Sequence, residues 1–369
     1  MMGRVLKEKA GVMTWGADLV SQGGEMVYGG IVSLVRAQFE SGWRRRFRLP
    51  CRVISIGNIT TGGTGKTPLV QTVAEHLRQA GLRVVVLCRG YRGGLSKAGA
   101  VVSDGSGALI SWEACGDEPF LHAARLRGIP VIIGRDRVKA GLRAVKDFGA
   151  SVVILDDGFQ YWRLHRDMDI VTINATDPFG GGRLLPTGRL REPLTALRRA
   201  HVVVLTKTGQ ISGEELAGLS AAIQKRVSLG TPLFFADYRA AGFSRYGEEH
   251  QQKPPDWLTG KEVVAACALA DGKGFVATLR KLGCIVRCSF LFPDHHRFTD
   301  SDCRQIITTA RKSGAAVIIS EKDAVKWSFN DPATEIWVLR VEMQVRDEER
   351  FFALLRDSVW EARRRQGMV

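Results

Sequence analysis

A β-strand pattern, a glycine-rich loop and a helical pattern follow one another between residues 52 and 80, and this order constrains the fold more than any other feature. The loop occupies residues 57–68 and reads GNITTGGTGKTP. Glycines allow backbone N–H groups to curl around phosphate oxygens, and the N-terminus of the following helix adds a partial positive charge. The sequence therefore predicts a phosphate-binding loop between a strand and a helix.

The residues of this loop have distinct expected roles in binding ATP and Mg²⁺. Lys66 is expected to reach the β- and γ-phosphates, and the Thr67 hydroxyl is expected to ligate Mg²⁺. The usual GxxxxGK[ST] pattern has glycine at the position of Thr60, so the loop is closer to a GGxGK[ST] variant. The predicted nucleotide-binding residues are Thr61, Gly62, Gly63, Thr64, Gly65, Lys66 and Thr67.

Two adjacent carboxylates end a later apolar run. Residues 151–155 read as a buried strand, and Asp156 and Asp157 follow it directly. Mg²⁺ prefers oxygen ligands and commonly takes one or two carboxylates from a protein. The pair is therefore predicted to bind the metal together with Thr67. Which of the two does so stays open, because adjacent side chains cannot face the same way.

Apolar runs and helical periods alternate over most of the chain, which is typical of a P-loop NTPase-like α/β fold with a parallel sheet sandwiched by helices. The first set of expected strands lies at 52–56, 83–88, 130–133, 151–155, 169–173 and 201–206, with helices at 67–80, 118–127 and 136–148. A second set is expected at 263–268, 285–291 and 315–320, with helices near 274–282 and 300–313.

The polar, turn-rich segment 240–260 is interpreted as the boundary between two α/β units. The runs 232–238 and 336–345 flank the second set and are expected to pair as a two-stranded connector. The predicted division is an N-terminal amphipathic segment, a P-loop domain, a smaller α/β domain with the connector strands, and a C-terminal helix, at 1–48, 49–230, 231–345 and 346–369 respectively.

Two further segments are candidates for contact with a phosphate acceptor. Asp117 opens a helical stretch, where it is either a helix N-cap or a carboxylate near the γ-phosphate. His295 and His296 follow an apolar strand, and strand C-termini deliver side chains into clefts. A histidine can take a hydroxyl proton when a carboxylate orients it. The alternative for the two histidines is a polar surface loop.

Arginine-rich loops are candidates for binding an anionic substrate, because a guanidinium binds phosphate in a bidentate manner. The alternative is that these loops are only solvated and positively charged. The arginines in question are Arg89, Arg183, Arg189 and Arg191.

Residues 26–48 combine an apolar stripe with a cluster of arginines. This pattern suits a helix lying in a membrane interface and equally an amphipathic helix packed on its own domain. The longest apolar piece has about ten residues, half of the roughly 20 that a spanning helix needs. Neither a transmembrane segment nor a secretory signal is expected.

Composition and net charge limit the kinds of binding partner that we expect for the protein. The formal net charge is +15, which favours an acidic partner such as nucleic acid, anionic lipid or a phosphorylated small molecule. Aromatic residues make up only 8% of the chain and no nucleic-acid motif is present, so we expect no nucleic-acid partner. The seven cysteines are odd in number and contain no CxxC pair, which indicates a reducing compartment without disulfides or a zinc site.

Seven motifs together resemble the tetraacyldisaccharide 4'-kinase (lipid A 4'-kinase) family, from about residue 25 to near the C-terminus. They lie at 57–68, 89–91, 116–119, 155–160, 183–193, 293–296 and 321–326. The resemblance implies transfer of the ATP γ-phosphoryl group to the 4'-hydroxyl of a tetraacyl glucosamine disaccharide 1-phosphate, giving lipid IVA in lipid A biosynthesis. It also implies a membrane-associated protein, which we expect to be monomeric, on the cytoplasmic face of the inner membrane.

The resemblance further implies that Asp117 and a histidine of the 293–296 motif form a catalytic dyad, and we favour His295 over His296. It makes the three arginines of 183–193 candidates for the substrate's 1-phosphate, although Arg189 stands where many relatives have proline. The alternative function is another P-loop small-molecule kinase or a GTPase-like switch, which would show no dependence on lipid.

Overall fold

A computed structural model of the chain describes residues 23–327, 329, 331 and 333–365. Helix α1 covers residues 23–40. The elements of the first half are β1 Arg52–Gly57, α2 Lys66–Gln79, β2 Val84–Cys88, β3 Ala100–Ser103, α3 Trp112–Cys115, α4 Asp117–Arg125, β4 Val131–Ile133, α5 Arg137–Phe148, β5 Val152–Asp156, β6 Met168–Asn174, β7 Val202–Thr206 and α6 Gly213–Gln224. Those of the second half are β8 Leu233–Arg245, β9 Glu248–Lys253, β10 Glu262–Cys267, α7 Gly272–Lys281, β11 Ile285–Leu291, α8 Asp300–Ser313, β12 Ala316–Ser320, α9 Glu321–Ala324, β13 Ile336–Val345 and α10 Glu348–Arg365.

One sheet of 13 strands joins both halves, in the order β11-β10-β12-β13-β8-β7-β6-β1-β5-β2-β4-β3, with β9 paired to β8. The strands from β7 to β4 run parallel, and so do β11, β10, β12 and β13. Buried clusters of Val, Ile and Leu cover both faces of the sheet. The predicted α/β class with a P-loop NTPase-like parallel sheet is therefore confirmed.

The two halves meet at an antiparallel pair of long strands. β8 pairs with β7 near its start and then with β13, from Ala236↔Val345 to Arg245↔Trp337. β13 in turn pairs with β12 in the second half. The expected pairing of 232–238 with 336–345 is confirmed, while the four domain boundaries stay a prediction.

The segment 240–260 contains strand residues that its polar, turn-rich sequence did not predict, and its role as a boundary stays a prediction. β8 continues to Arg245, and the polar residues Glu248–Lys253 form β9, which pairs with β8 alone. A strand with one neighbour needs no apolar side chains on its solvent face, so its sequence resembles that of a loop. The short antiparallel strand β3 was not expected either.

Helix boundaries follow local capping chemistry. The Asp136 side chain accepts hydrogen bonds from the first backbone amides of α5, and Gly149 ends that helix with φ 58°. Thr299 and Asp302 form a capping box at the start of α8. Helix α1 ends at residue 40, so the arginine cluster at 44–48 lies beyond it. Residues 1–22 of the predicted N-terminal segment lie outside the described residues.

Candidate active site

The glycine-rich loop leaves backbone donors free at the start of α2. Gly65 precedes the helix in the left-handed conformation, with φ 80°, and no side chain of the described residues caps the helix. A Cβ atom at Gly65 would lie 2.7 Å from Met343 Cε and 3.2 Å from the Tyr238 hydroxyl oxygen. The first amides of a helix have no partner within the helix, so this end is a ready anion-binding site.

Hydrogen bonds from neighbouring strands hold the loop. Thr64 Oγ1 accepts from Asn58 Nδ2 at 3.0 Å and lies 2.8 Å from Thr172 Oγ1 on β6. Thr206 Oγ1, at the end of β7, donates to the Thr64 carbonyl oxygen at 3.1 Å. The loop is therefore preorganised by three strands that end at the same edge of the sheet.

The two predicted metal carboxylates have different surroundings. Asp157 Oδ1 lies 2.7 Å from Arg191 Nη1 and 3.7 Å from Lys66 Nζ. Burial raises the pKa of Asp157, but the charges of Lys66 and Arg191 outweigh that effect and lower the pKa to about 2. Asp157 is therefore ionised and already neutralised by cations of the chain.

Asp156 points the other way, into the protein. Its Oδ2 lies 3.0 Å from Nε2 of His122, and both side chains are buried. Its Oδ1 is buried and has no hydrogen-bond partner within the described part of the chain. An orphaned carboxylate oxygen beside a phosphate loop suits a hard divalent cation, so the residues present fit Mg²⁺.

The loop after β11 brings a histidine to the N-terminus of α4. His295 Nδ1 lies 2.8 Å from Asp117 Oδ2, and the Glu118 amide donates to Asp117 Oδ1 at 3.0 Å. Burial raises the pKa of Asp117, but the hydrogen bond from His295 and the charge of Lys322 lower it to about 2. An ionised carboxylate only accepts, so Nδ1 carries a proton, and in the neutral imidazole Nε2 of His295 then has the lone pair.

The neighbouring histidine has a different environment. His296 Nε2 lies 3.0 Å from Asp302 Oδ2 on α8, and its ring stacks on Phe292 with centroids 4.6 Å apart. His295 is therefore the histidine that meets Asp117, as favoured from the sequence. The alternative of Asp117 as helix N-cap is wrong, because Gly116 occupies the N-cap of α4 and Asp117 is its first helical residue.

The loop 183–191 lies against the phosphate loop. The Thr61 amide donates to the Arg189 carbonyl oxygen at 2.7 Å, and the Arg191 amide donates to the Ile59 carbonyl oxygen at 2.7 Å. Arg189 forms an ion pair with Asp177.

The other two predicted arginines lie elsewhere around the site. Arg183 Nε lies 3.2 Å from Glu25 Oε2 on α1. Arg89 is exposed at the end of β2. Its loop runs beside Gly116, where a Cβ atom would lie 2.5 Å from the Tyr91 carbonyl oxygen. Of the four predicted arginines, the structure therefore brings Arg189 and Arg191 to the phosphate loop and leaves Arg183 and Arg89 at its periphery.

A cavity of about 270 Å³ separates the phosphate loop from the second half. Its walls include ionisable residues beyond the predicted site residues. Lys207 Nζ lies 2.6 Å from Asp271 Oδ2 across the cavity, and Lys322 Nζ lies 3.1 Å from Asp294 Oδ1. Lys207 and Lys322 each stand directly after a buried strand or one residue later, a position that suits contact with a bound nucleotide. The charged lining residues are Lys66, Glu118, Lys207, Asp271, Asp294, Glu321 and Lys322.

A glycine-rich loop between β1 and α2 of a parallel sheet, with an acidic strand end beside it, defines the P-loop nucleotide-binding proteins. Comparison with known families is more specific. The family model described as tetraacyldisaccharide-1-P 4'-kinase matches residues 24–359, and the chain belongs to this family. The resemblance inferred from the motifs is thereby confirmed.

Individual relatives agree with this assignment. A tetraacyldisaccharide 4'-kinase of Desulfatibacillum aliphaticivorans is 34% identical over 343 residues, covering 90% of each chain. One of Halothermothrix orenii is 37% identical over 337 residues, covering 87% of this chain and 88% of the relative. The crystal structure of LpxK from Aquifex aeolicus in complex with ATP superimposes with a TM-score of 0.74 at 30% identity, covering 92% of this chain and 98% of that one.

Proposed function

We propose that this chain is an ATP-dependent kinase of lipid A biosynthesis that phosphorylates the 4'-hydroxyl of a tetraacyl glucosamine disaccharide 1-phosphate. Membership of the family supports the substrate class. The observation that carries the chemistry is the pairing of His295 with Asp117 beside a phosphate loop. A base oriented by a carboxylate suits removal of the proton from a hydroxyl acceptor as it attacks phosphorus.

Phosphoryl transfer has a loose transition state, so catalysis rests on positioning and charge neutralisation. The amides of the phosphate loop and the Lys66 ammonium group would hold the phosphates. Thr67 and a carboxylate of the acidic pair would hold Mg²⁺, and the orphaned oxygen supports Asp156 ahead of Asp157. When bound, the metal neutralises charge on the β- and γ-phosphates.

The dyad would act on the acceptor. Nε2 of His295 takes the proton of the sugar hydroxyl as its oxygen attacks phosphorus, and Asp117 stabilises the imidazolium that forms. The histidine comes from the second half and the carboxylate from the first. The relative position of the two halves therefore determines whether the base is assembled.

We propose that Arg89, Arg183, Arg189 and Arg191 contact the anionic head of the lipid. Arg183 and Arg89 are largely exposed and border the site. Arg191 also holds Asp157, and Arg189 lies beside the Gly62 backbone, with its Nη1 3.9 Å from the position of an added Cβ atom. The guanidinium groups of Arg189 and Arg191 beside the phosphate loop support recognition of a substrate that carries its own phosphate.

Helix α1 supports association with an anionic membrane surface. The side chains of Val27, Ile31 and Leu34 are 57–63% exposed along one stripe. On another face, Glu25 accepts from the Leu184 amide at 2.7 Å, and Tyr28 donates to the Arg191 carbonyl oxygen at 3.0 Å. A helix with its apolar stripe in the interface would thus hold the 183–191 loop at the lipid surface.

Among the helices of the described residues, none combines the length and the apolar character that a bilayer crossing requires. We propose that the chain works as a monomer on the cytoplasmic face of the inner membrane, where ATP and the disaccharide head group would meet. The excess of basic residues supports attraction to anionic head groups.

The deciding experiment is transfer of labelled γ-phosphate from Mg-ATP to a tetraacyl disaccharide 1-phosphate in detergent. Wild type should phosphorylate the lipid, and Asp117→Asn and His295→Gln should lose transfer while still binding ATP. A folded wild type that binds ATP without phosphorylating the lipid would overturn the proposal. Turnover with a soluble acceptor alone would favour another P-loop small-molecule kinase.

A further inference from the structure

The ammonium group of Lys322 lies against the ring nitrogen of His295 that would take the proton. Its Nζ lies 3.4 Å from Nε2 of His295 and 3.1 Å from Oδ1 of Asp294, and Oδ2 of Asp294 lies 3.6 Å from the same Nε2. Because Nδ1 of His295 faces Asp117, Nε2 is the ring nitrogen that accepts hydrogen bonds. An ammonium group only donates, so Lys322 donates to that lone pair. His295 cannot take a hydroxyl proton at Nε2 until this donor moves away.

The backbone beneath Lys322 is fixed. Ser320 Oγ accepts from the Asp323 amide at 3.2 Å at the start of α9. The Asp323 side chain is fully buried, and its Oδ2 accepts from the Ala268 amide at 3.1 Å. The part of Lys322 that can move is therefore its flexible four-carbon stem.

The cavity offers that stem a second position. Lys322 and Lys66 line the same space of about 270 Å³, together with Gly65 and Thr67. Burial raises the pKa of Glu118, and the charges of both Lys322 and Lys66 oppose that rise, so both ammonium groups act on this one carboxylate. A terminal phosphate held by Lys66 would thus lie in the cavity that Lys322 also lines.

Lys322 keeps its charge in this position. Burial lowers its pKa, but the carboxylates of Glu118, Asp117 and Asp294 outweigh that effect and hold the pKa above its ordinary value. A phosphate group with two negative charges attracts an ammonium group more strongly than either the singly charged carboxylate of Asp294 or the lone pair of a neutral imidazole does.

We infer that Lys322 is the ligand that the second half contributes to the terminal phosphate of the bound nucleoside triphosphate, and that its move from His295 Nε2 to this phosphate frees the base. The inference rests on the proposed function. In the transfer, the bond from the sugar oxygen to phosphorus forms and the bond from phosphorus to the leaving diphosphate oxygen breaks. The hydroxyl proton passes to Nε2. A bound diphosphate lacks the terminal group and leaves Lys322 on His295.

The first test compares ATP and ADP binding to the full chain by calorimetry with Mg²⁺ present. In Lys322→Met, the Kd for ATP should rise about tenfold, because one charge-assisted hydrogen bond to the terminal phosphate is lost. The Kd for ADP should change by less than about twofold, which corresponds to a loss of well under one hydrogen bond. The matched control is Lys281→Met, an exposed lysine in the last turn of α7, which should bind both nucleotides as wild type does. Equal weakening of ATP and ADP, or weakening of neither, would overturn the inference.

The second test follows the base itself. In protein with ¹⁵N-labelled histidine, the Nε2 resonance of His295 is assigned by its absence in His295→Gln. A non-hydrolysable ATP analogue should shift this resonance in wild type, and ADP should not. In Lys322→Met, neither nucleotide should shift it. Equal shifts with ADP and the ATP analogue would contradict the proposed movement. Thermal melts and the charge-preserving variant Lys322→Arg exclude loss of folding as the cause.

The two proposals fail separately. If wild type phosphorylates the lipid and Lys322→Met binds both nucleotides normally, only the role of Lys322 is overturned. If Lys322→Met loses affinity for ATP alone and wild type does not phosphorylate the lipid, the role of Lys322 is supported and the proposed acceptor is overturned.

Discussion

Nδ1 of His295 lies 2.8 Å from Oδ2 of Asp117, although 178 positions of sequence separate the two residues. Asp117 opens α4 in the first half, and His295 follows β11 in the second. The backbone of His295 has a φ of 64°, a conformation that few residues other than glycine adopt. A strained loop that places one ring against one carboxylate is typical of a functional site rather than of a surface turn.

Replacing the two histidines separately should distinguish them. His295→Gln should lower kcat for lipid phosphorylation by about 100-fold or more, the usual contribution of a general base. His296→Gln should leave kcat within about threefold of wild type, since that ring contacts Asp302 and Phe292 and lies outside the dyad. Steady-state kinetics in detergent would measure both. A larger loss of kcat in His296→Gln than in His295→Gln would show that His296, and not His295, is the base.

Asp117 should make the stability of the protein depend on pH in the acid range. Its pKa is about 2 in the folded protein, below the ordinary value of 3.8. The stabilisation is therefore complete above about pH 4 and is lost as the pH falls towards 2, amounting to about 2 kcal/mol. Urea melts of wild type and Asp117→Asn between pH 6 and 2.5 should converge at low pH. Parallel curves would show that the carboxylate is not stabilised by folding.

The parallel strands were predictable because they are buried on both faces. Four of the five residues in each of β2, β5 and β7 are Val, Ile or Leu, as are three of the six in β1, and such runs are visible in the sequence without knowledge of their neighbours. β9 was not predictable for the opposite reason. It pairs with one neighbour, and its residues Glu248–Lys253 are polar, so it has the composition of a linker.

The site was predictable where it is local in sequence and not where it depends on packing between the halves. The phosphate loop and the acidic pair each follow a strand, and their positions reflect the topology directly. The contact of His122 with Asp156 was missed, because a histidine on the apolar face of a helix gives no sign of a carboxylate from another strand. The place of Lys322 beside His295 likewise requires the relative position of α9 and the loop after β11.

A buried ion pair between the halves should contribute to stability. Arg125 Nη1, at the end of α4, lies 2.8 Å from Oε2 of Glu321 and donates to the Val341 carbonyl oxygen at 2.7 Å. Both charged side chains are largely buried, so removing either leaves the other poorly paired. Arg125→Met should lower the free energy of unfolding by about 3 kcal/mol, measured by urea denaturation.

The matched control for the Arg125–Glu321 pair is an exposed ion pair. Arg143 and Asp147 form an i,i+4 pair on the surface of α5, and Arg143→Met should cost about 0.5 kcal/mol or less. The double variant Arg125→Met/Glu321→Met should lose less stability than the sum of its single variants, since the unpaired buried charge is then absent. Additive losses would mean that the pair contributes no coupling between the halves.

The apolar stripe of α1 should determine binding to a lipid surface. Ile31 and Leu34 are 57% and 60% exposed, and burying such a side chain stabilises an apolar contact by about 1.5–3 kcal/mol. The variant Ile31→Asp/Leu34→Asp should therefore bind vesicles containing phosphatidylglycerol at least about tenfold more weakly than wild type in a sedimentation assay. Leu142→Asp is the matched control, because Leu142 is 51% exposed on α5, away from α1. Equal losses in both variants would indicate general adsorption of basic protein to anionic lipid, and no loss in either would remove α1 from the membrane contact.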